Sequence, residues 1–130
     1  MVGSMGERML RITLPWVDSW NAWFTWFSNS VEGYGPMKEA VDAACRAVGR
    51  DPAEVARTVA LLVAFPGAVD GPQGNPARPR AQAIPGEPAV LARTLQDFAA
   101  AGVSEVQLVL DPITAASIAA LAPALALLRG

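Results

Sequence analysis

Gly3-Ser4-Met5-Gly6 is the stretch whose residue types and spacing offer chemistry first. Val2 reads as the last residue of a buried strand, and Glu7 opens a helical pattern through Met9, Leu10, Ile12 and Thr13. A glycine turn feeding a helix N-terminus presents free backbone N–H groups, and a phosphate is their usual occupant. The same glycine spacing also makes ordinary loops and helix entries, so phosphate cradle and plain turn both stand on spacing alone. Asp18 and Asn21 flank the exit of a short strand, where they either bond a ligand or cap the strand end. Trp20 lies between them, and Trp23 and Trp26 follow; Trp23 and Trp26 read as packing residues, because large aromatics belong to cores. Arg8, Arg78 and Arg80 read as solvated cations. Asp111 ends an apolar run, where Asp-Pro is ordinary cap chemistry as well as a position for a functional group.

The wider composition removes several reaction classes. The 130 residues include no histidine, so Ser-His-Asp and Cys-His catalysis and most zinc sites are out of reach, and no metal is expected. The single cysteine, Cys45, lies on an apolar helical face and reads as a small core residue. No residue qualifies as a general acid or base. The net charge is −2 without a basic stripe, which argues against a nucleic-acid partner. A reducing, cytoplasmic compartment fits one unpaired cysteine and an N-terminus without a secretory pattern. The uncharged stretch Ile113 to Leu128 falls short of the ~20 residues a bilayer demands and contains Pro123. It reads as a buried or partner-covered helix, with no membrane role.

The elements that would position these residues alternate. A helix runs from Glu7 to about Leu14, closed by Pro15. Trp16 to Asn21 reads as a short strand, followed by aromatics without a clean period and a loop over Ser28 to Gly35. Pro36 is placed to start a helix over Met37 to Val48, stopped by Gly49. Asp51-Pro52-Ala53-Glu54 reads as a second helix start. Thr58 to Phe65 is a continuous apolar run, the pattern of a strand buried on both faces. Residues 71–85, rich in Pro and Gly, read as a long exposed loop. A helix from Glu87-Pro88 to Gly102, a strand over Glu105 to Leu110 and a final helix complete the chain. Strand–turn–helix units in this order predict an α/β fold with parallel strands, in one domain.

Val2-Gly3-Ser4-Met5-Gly6-Glu7-Arg8-Met9-Leu10, Asp18-Ser19-Trp20-Asn21, the helix Glu39 to Pro52, Phe98 to Val103 and Val106 to Pro112 together resemble the C-terminal part of the luciferase-like monooxygenase family. These are flavin- and deazaflavin-dependent oxidoreductases on a TIM barrel. The resemblance covers nearly all of residues 1–130 apart from the loop at 71–85. It implies a partial TIM (β/α)8 barrel made of the last three to four βα units, from a barrel more than twice this length. It also implies that the cofactor, FMN or deazaflavin (coenzyme F-420), holds its phosphate on Gly3, Ser4, Met5 and Gly6. Trp20 and Asn21 would then sit at the C-terminal mouth, beside a small-molecule substrate.

Two departures from the family pattern set a second expectation. Its N-terminal half has no counterpart here, and the last helix carries Ala115, Ala116, Ala119 and Ala120 where a surface helix carries charge. A half-barrel exposes a sheet edge and apolar surface. The alternative is therefore a non-catalytic half-barrel domain that forms a homo-oligomer or pairs with a complementary half-barrel.

Overall fold

The computed structural model describes residues 1–69 and 81–130. The elements are α1 (Glu7–Thr13), β1 (Ser19–Trp23), α2 (Val31–Ala47), β2 (Ala56–Ala64), β3 (Ile84–Pro85), α3 (Pro88–Ala100), β4 (Glu105–Asp111), α4 (Ala115–Ala119) and α5 (Ala122–Arg129). Short 3-10 turns lie at Phe24–Trp26 and Pro52–Glu54. The protein is α/β, with an open sheet of four strands paired in parallel.

β2 is central. Its Ala56–Ala60 pair with Ser19–Trp23 of β1 on one side, and its Thr58–Ala64 pair with Glu105–Asp111 of β4 on the other. β3 takes the β1 side of β2 beyond the end of β1, through Val63↔Ile84 and Ala64↔Pro85. Val2 forms an isolated parallel bridge to Trp20, so the positions across the sheet run Val2, β1, β2, β4 in chain order. Successive parallel strands need a crossover between them, and α1, α2 and α3 supply it.

The uninterrupted apolar run of β2 is buried on both faces, as a central parallel strand requires. Side chains alternate across the sheet. Trp20, Ala22, Arg57, Val59 and Leu61 share the face toward the helices, where Arg57 reaches Asp42 of α2. Asn21, Trp23, Thr58, Ala60, Gln107 and Val109 share the opposite face. The core gathers Leu10 of α1 and Leu14 just past its end, Tyr34, Val41 and Cys45 of α2, and Leu91 and Phe98 of α3 against β2. Phe27, Tyr34 and Phe98 meet edge-on or tilted with centroids 5.9–6.0 Å apart.

Several boundaries differ from the sequence reading. β1 starts at Ser19 rather than Trp16, because Pro15 and Trp16 belong to the turn that ends α1. The Arg50 guanidinium donates to the carbonyls of Leu14 and Val17 and so holds that turn. α2 begins at Val31, not after Pro36: the Ser30 hydroxyl caps it by accepting from the Gly33 N–H at 3.1 Å, and Pro36 lies inside. Asp51 does cap through the Ala53 N–H, but the turn closes after one 3-10 round and β2 takes over. The expected loop at 71–85 contains β3 at its end; its remainder through residue 80, including Arg78 and Arg80, lies outside the described residues.

The final helix is also corrected. It is two short helices broken at Ala120-Leu121, with Pro123 in the first turn of α5. Thr114, rather than Asp111, caps α4, in a reciprocal box with Ser117. Only Ala124 of α5 is buried, so the buried alternative for this stretch does not hold within one copy. No helix among the described residues is long and apolar enough to cross a membrane.

Candidate functional site

Two backbone bonds fix the start of the glycine turn. Val2 N–H donates to the Ser19 carbonyl at 3.0 Å, and Asn21 N–H donates to the Val2 carbonyl at 2.8 Å. The chain then leaves the sheet. The Trp20 indole Nε1–H donates to the Ser4 carbonyl at 2.7 Å, pinning the turn onto β1. Gly6 precedes α1 in extended conformation and supplies no side-chain cap. The amides of Gly3, Ser4, Met5 and Gly6 donate to no other described residue. With the N–H groups of the first turn of α1, they form a run of unengaged donors. α1 has only seven residues, so these amides rather than a long helix dipole define the site's polarity.

Neither glycine is demanded by the fold. A Cβ on Gly6 would meet nothing within 4 Å. One on Gly3 would make ordinary contact, 3.5 Å from the Asn21 carbonyl and 3.9 Å from the Trp26 ring. A bare backbone here leaves room for something outside the chain to come close. By contrast, a Cβ on Gly33 would lie 2.1 Å from the Phe27 carbonyl, and one on Gly86 would lie 2.4 Å from the Phe65 ring. Those two glycines serve packing.

The six residues singled out for a cofactor gather in one place, but in unequal roles. Met5 and Gly6 are exposed and Ser4 is half-buried. Trp20 is fully buried, its ring on the helix side beside Met5, Leu10, Met37 and Val41. Trp20 and Asn21 are the second and third residues of β1, whose last residue is Trp23, so the expected strand end at Trp20-Asn21 is corrected. Asn21 sits on the helix-free face, where its Oδ1 accepts from the Thr58 hydroxyl at 2.7 Å and its NH2 group engages no described residue. Arg8 is exposed on the first turn of α1 and makes no ion pair among the described residues.

Beyond the C-terminal ends of β2 and β4, a hollow of about 380 Å³ is lined by Ala64, Ala68, Val69, Ala83 and Asp111. Asp111 is buried and accepts from the Val69 N–H at 3.2–3.3 Å. At the opposite end, a hollow of about 530 Å³ is lined by Lys38, Asp42, Arg57 and neighbours. There Arg57 is tied to Asp42 at 2.5 Å and to the Val55 carbonyl at 2.8 Å, and Lys38 meets Asp42 at 2.8 Å. Burial alone would raise the Asp42 carboxyl, but the bonds and charges of Lys38 and Arg57 outweigh it and hold it below its ordinary value. This trio anchors α2 to β2. Burial pushes Tyr34 up to about 12, with Arg57 opposing and Asp42 adding to the rise.

Asn29 escaped the sequence reading, where it counted only as loop chemistry. It is buried, with φ +52°, and its amide stands in for a strand residue. Nδ2 donates to the carbonyls of Leu62 and Gln82, each at 2.9 Å, and Oδ1 accepts from the Leu62 N–H at 3.0 Å. The side chain therefore satisfies β2 where β1 has ended. Asn in a loop carries no signal of such a partner 33 residues away.

Among the described residues, no group of three His, Cys, Asp or Glu is arranged to hold a metal ion. No family model matches the chain, and no curated protein matches its sequence.

Proposed function

We propose that this chain is the C-terminal portion of a TIM-barrel, luciferase-like oxidoreductase, and that Gly3 to Gly6 hold the phosphate of FMN or of a deazaflavin cofactor. The observation that carries this reading is the turn itself. It follows the bridge of Val2 to Trp20, is clamped to β1 by the Trp20 indole, leaves its amides unengaged among the described residues, and bears glycines that the fold does not need. Such a cradle suits a phosphate, whose oxygens accept several N–H bonds at once. The order of strands across the sheet supports the barrel part of the reading, since consecutive βα units occupy adjacent positions there.

The redox chemistry belongs to the bound cofactor. The chain's residues bind and orient. Backbone amides of the turn take the phosphate, Arg8 adds a cation beside it, and the free NH2 of Asn21 offers a donor on the helix-free face. The hollow at Ala64, Ala83 and Asp111 supplies space for a small-molecule substrate at the strand ends.

A fluorescence titration with FMN and with the deazaflavin coenzyme tests the reading. Saturable binding is expected, weakened at least tenfold by Gly6→Val, with unchanged circular dichroism because a Cβ at Gly6 meets nothing within 4 Å. Absence of binding to either cofactor by the folded chain rejects the cofactor reading. The second reading, a non-catalytic half-barrel that associates with itself or with another half, is favoured by one observation. Ile113, Ile118, Leu125 and Leu127 are exposed at 80, 57, 41 and 53%, on a stretch with no charge before Arg129.

A further inference from the structure

We propose that the hollow at the C-terminal end of β2 and β4 is a subsite for an organic cation, with the Asp111 carboxylate taking the protonated amine of the substrate. That this amine belongs to a substrate rests on the proposed function; the binding site itself stands without it.

Strand register places the carboxylate. Asp111 is the last residue of β4 and pairs with Ala64, the last residue of β2. Alternation along β4 puts its side chain on the face of Gln107 and Val109, away from the helices. The segment leaving β2 returns to it: Phe65 N–H donates to the Asp111 carbonyl at 2.9 Å, and Val69 N–H reaches the carboxylate. Asp111 is left only 4% exposed.

A carboxylate offers about four acceptor positions. This one receives a single N–H, shared between Oδ1 at 3.3 Å and Oδ2 at 3.2 Å. Both distances exceed the roughly 2.7–2.9 Å of a strong charge-assisted bond. No Lys or Arg among the described residues pairs with it. A buried carboxylate needs such partners, because it has lost its water. Asp111 instead borders a hollow of about 380 Å³, the size of a small-molecule site. The other described lining residues, Ala64, Ala68, Val69 and Ala83, bring methyl groups and no charge.

One negative charge among methyl groups selects its occupant. Asp111 repels a phosphate or a carboxylate, so this hollow and the glycine turn take opposite ligands. A metal ion needs several ligands, and among the described residues no group of three is arranged to supply them. An ammonium on a carbon chain suits both parts of the hollow. Its N–H groups donate to the carboxylate oxygens, and its chain lies on the alanine and valine methyls. In a barrel this end of the strands carries the active site, so Asp111 would hold and orient a substrate there.

Amide NMR of the whole chain, titrated with butylammonium, butanol and butyrate at neutral pH, tests this. Butylammonium is expected to shift the Val69 amide saturably, while the neutral and anionic probes leave it in place. Asp111→Asn keeps an oxygen for the Val69 N–H but not the charge. It is expected to weaken butylammonium at least tenfold with an otherwise native spectrum. Ala68→Lys, at an exposed position bordering the hollow, brings the chain's own ammonium to the carboxylate and is expected to displace the probe. It replaces Asp111→Asn should that variant unfold. An Asp111 that only holds the segment after β2 would give no saturable shift with any probe, and that result overturns the proposal. So does butanol binding as tightly as butylammonium, or binding that either folded variant leaves unchanged. Parallel titrations with FMN and the deazaflavin coenzyme separate this subsite from the cofactor site. A chain that binds a cofactor but not butylammonium rejects the subsite alone, and one that binds butylammonium but neither cofactor rejects the oxidoreductase reading alone.

Discussion

Asn29 shows how one side chain can finish a sheet. Its amide bonds both polar backbone groups of Leu62 and the carbonyl of Gln82. Asn29→Ala removes those partners and puts at φ +52° a residue that tolerates the left-handed region less well than asparagine. Leaving a buried N–H unpaired costs roughly 1–3 kcal/mol, and the left-handed backbone adds about 1 kcal/mol. Urea denaturation is expected to show a loss of about 3 kcal/mol with an unchanged m value. Asn29→Gly removes the strain but not the missing bonds, so it is expected to recover only a minor part.

Titration belongs to the same scale. Tyr34 is the sole tyrosine, so ultraviolet difference titration reads it alone. Its folded value, about 12, exceeds the ordinary 10.0, chiefly through burial. The neutral phenol is therefore favoured by folding: that stability is present below pH 10 and is lost as pH rises through about 12. The phenol is expected to ionise together with unfolding; ionisation near 10 in a folded chain would contradict its burial. Asp42 carries the opposite sign. Held below 3.8 by Lys38 and Arg57, it contributes stability above that pH and loses it as pH falls through its lower folded value.

Elements are set by their ends. α2 and α3 each stop at a glycine with positive φ, Gly49 at +75° and Gly102 at +92°. In both, the second residue past the cap donates back five positions: Arg50 to Cys45 and Val103 to Phe98. These stops were readable because glycine in that conformation has few substitutes. The start of α2 was not, since Ser30 and Gly33 look like loop residues until Phe27 is folded against them. Gly33→Ala would force a Cβ to 2.1 Å from the Phe27 carbonyl. It is expected to lower the thermal midpoint well beyond Gly6→Ala, which meets open space; equal midpoints would refute that packing role.

Across the molecule, the open edge of β4 makes a prediction of its own. Parallel ladders engage alternate amides on each side, so half the β4 amides have no strand partner among the described residues. Hydrogen exchange is expected to be faster at those amides than at the β2 amides, whose strand pairs on both sides. Equal protection on the two strands would show that another surface covers the β4 edge.

Local chemistry in the sequence determined the alternation of strand and helix, the buried run of β2, the core position of Cys45 and the glycine stops, because each depends on residues a few positions apart. Residues far apart in the chain were joined only by tertiary structure. Trp20 turned inward to clamp Ser4, Asn29 took up the β2 ladder where β1 ends, and Arg57 met Asp42. The last stretch split into two helices with apolar side chains left outside. An apolar pattern states that a surface must leave water; which surface covers it depends on where the sheet places the element.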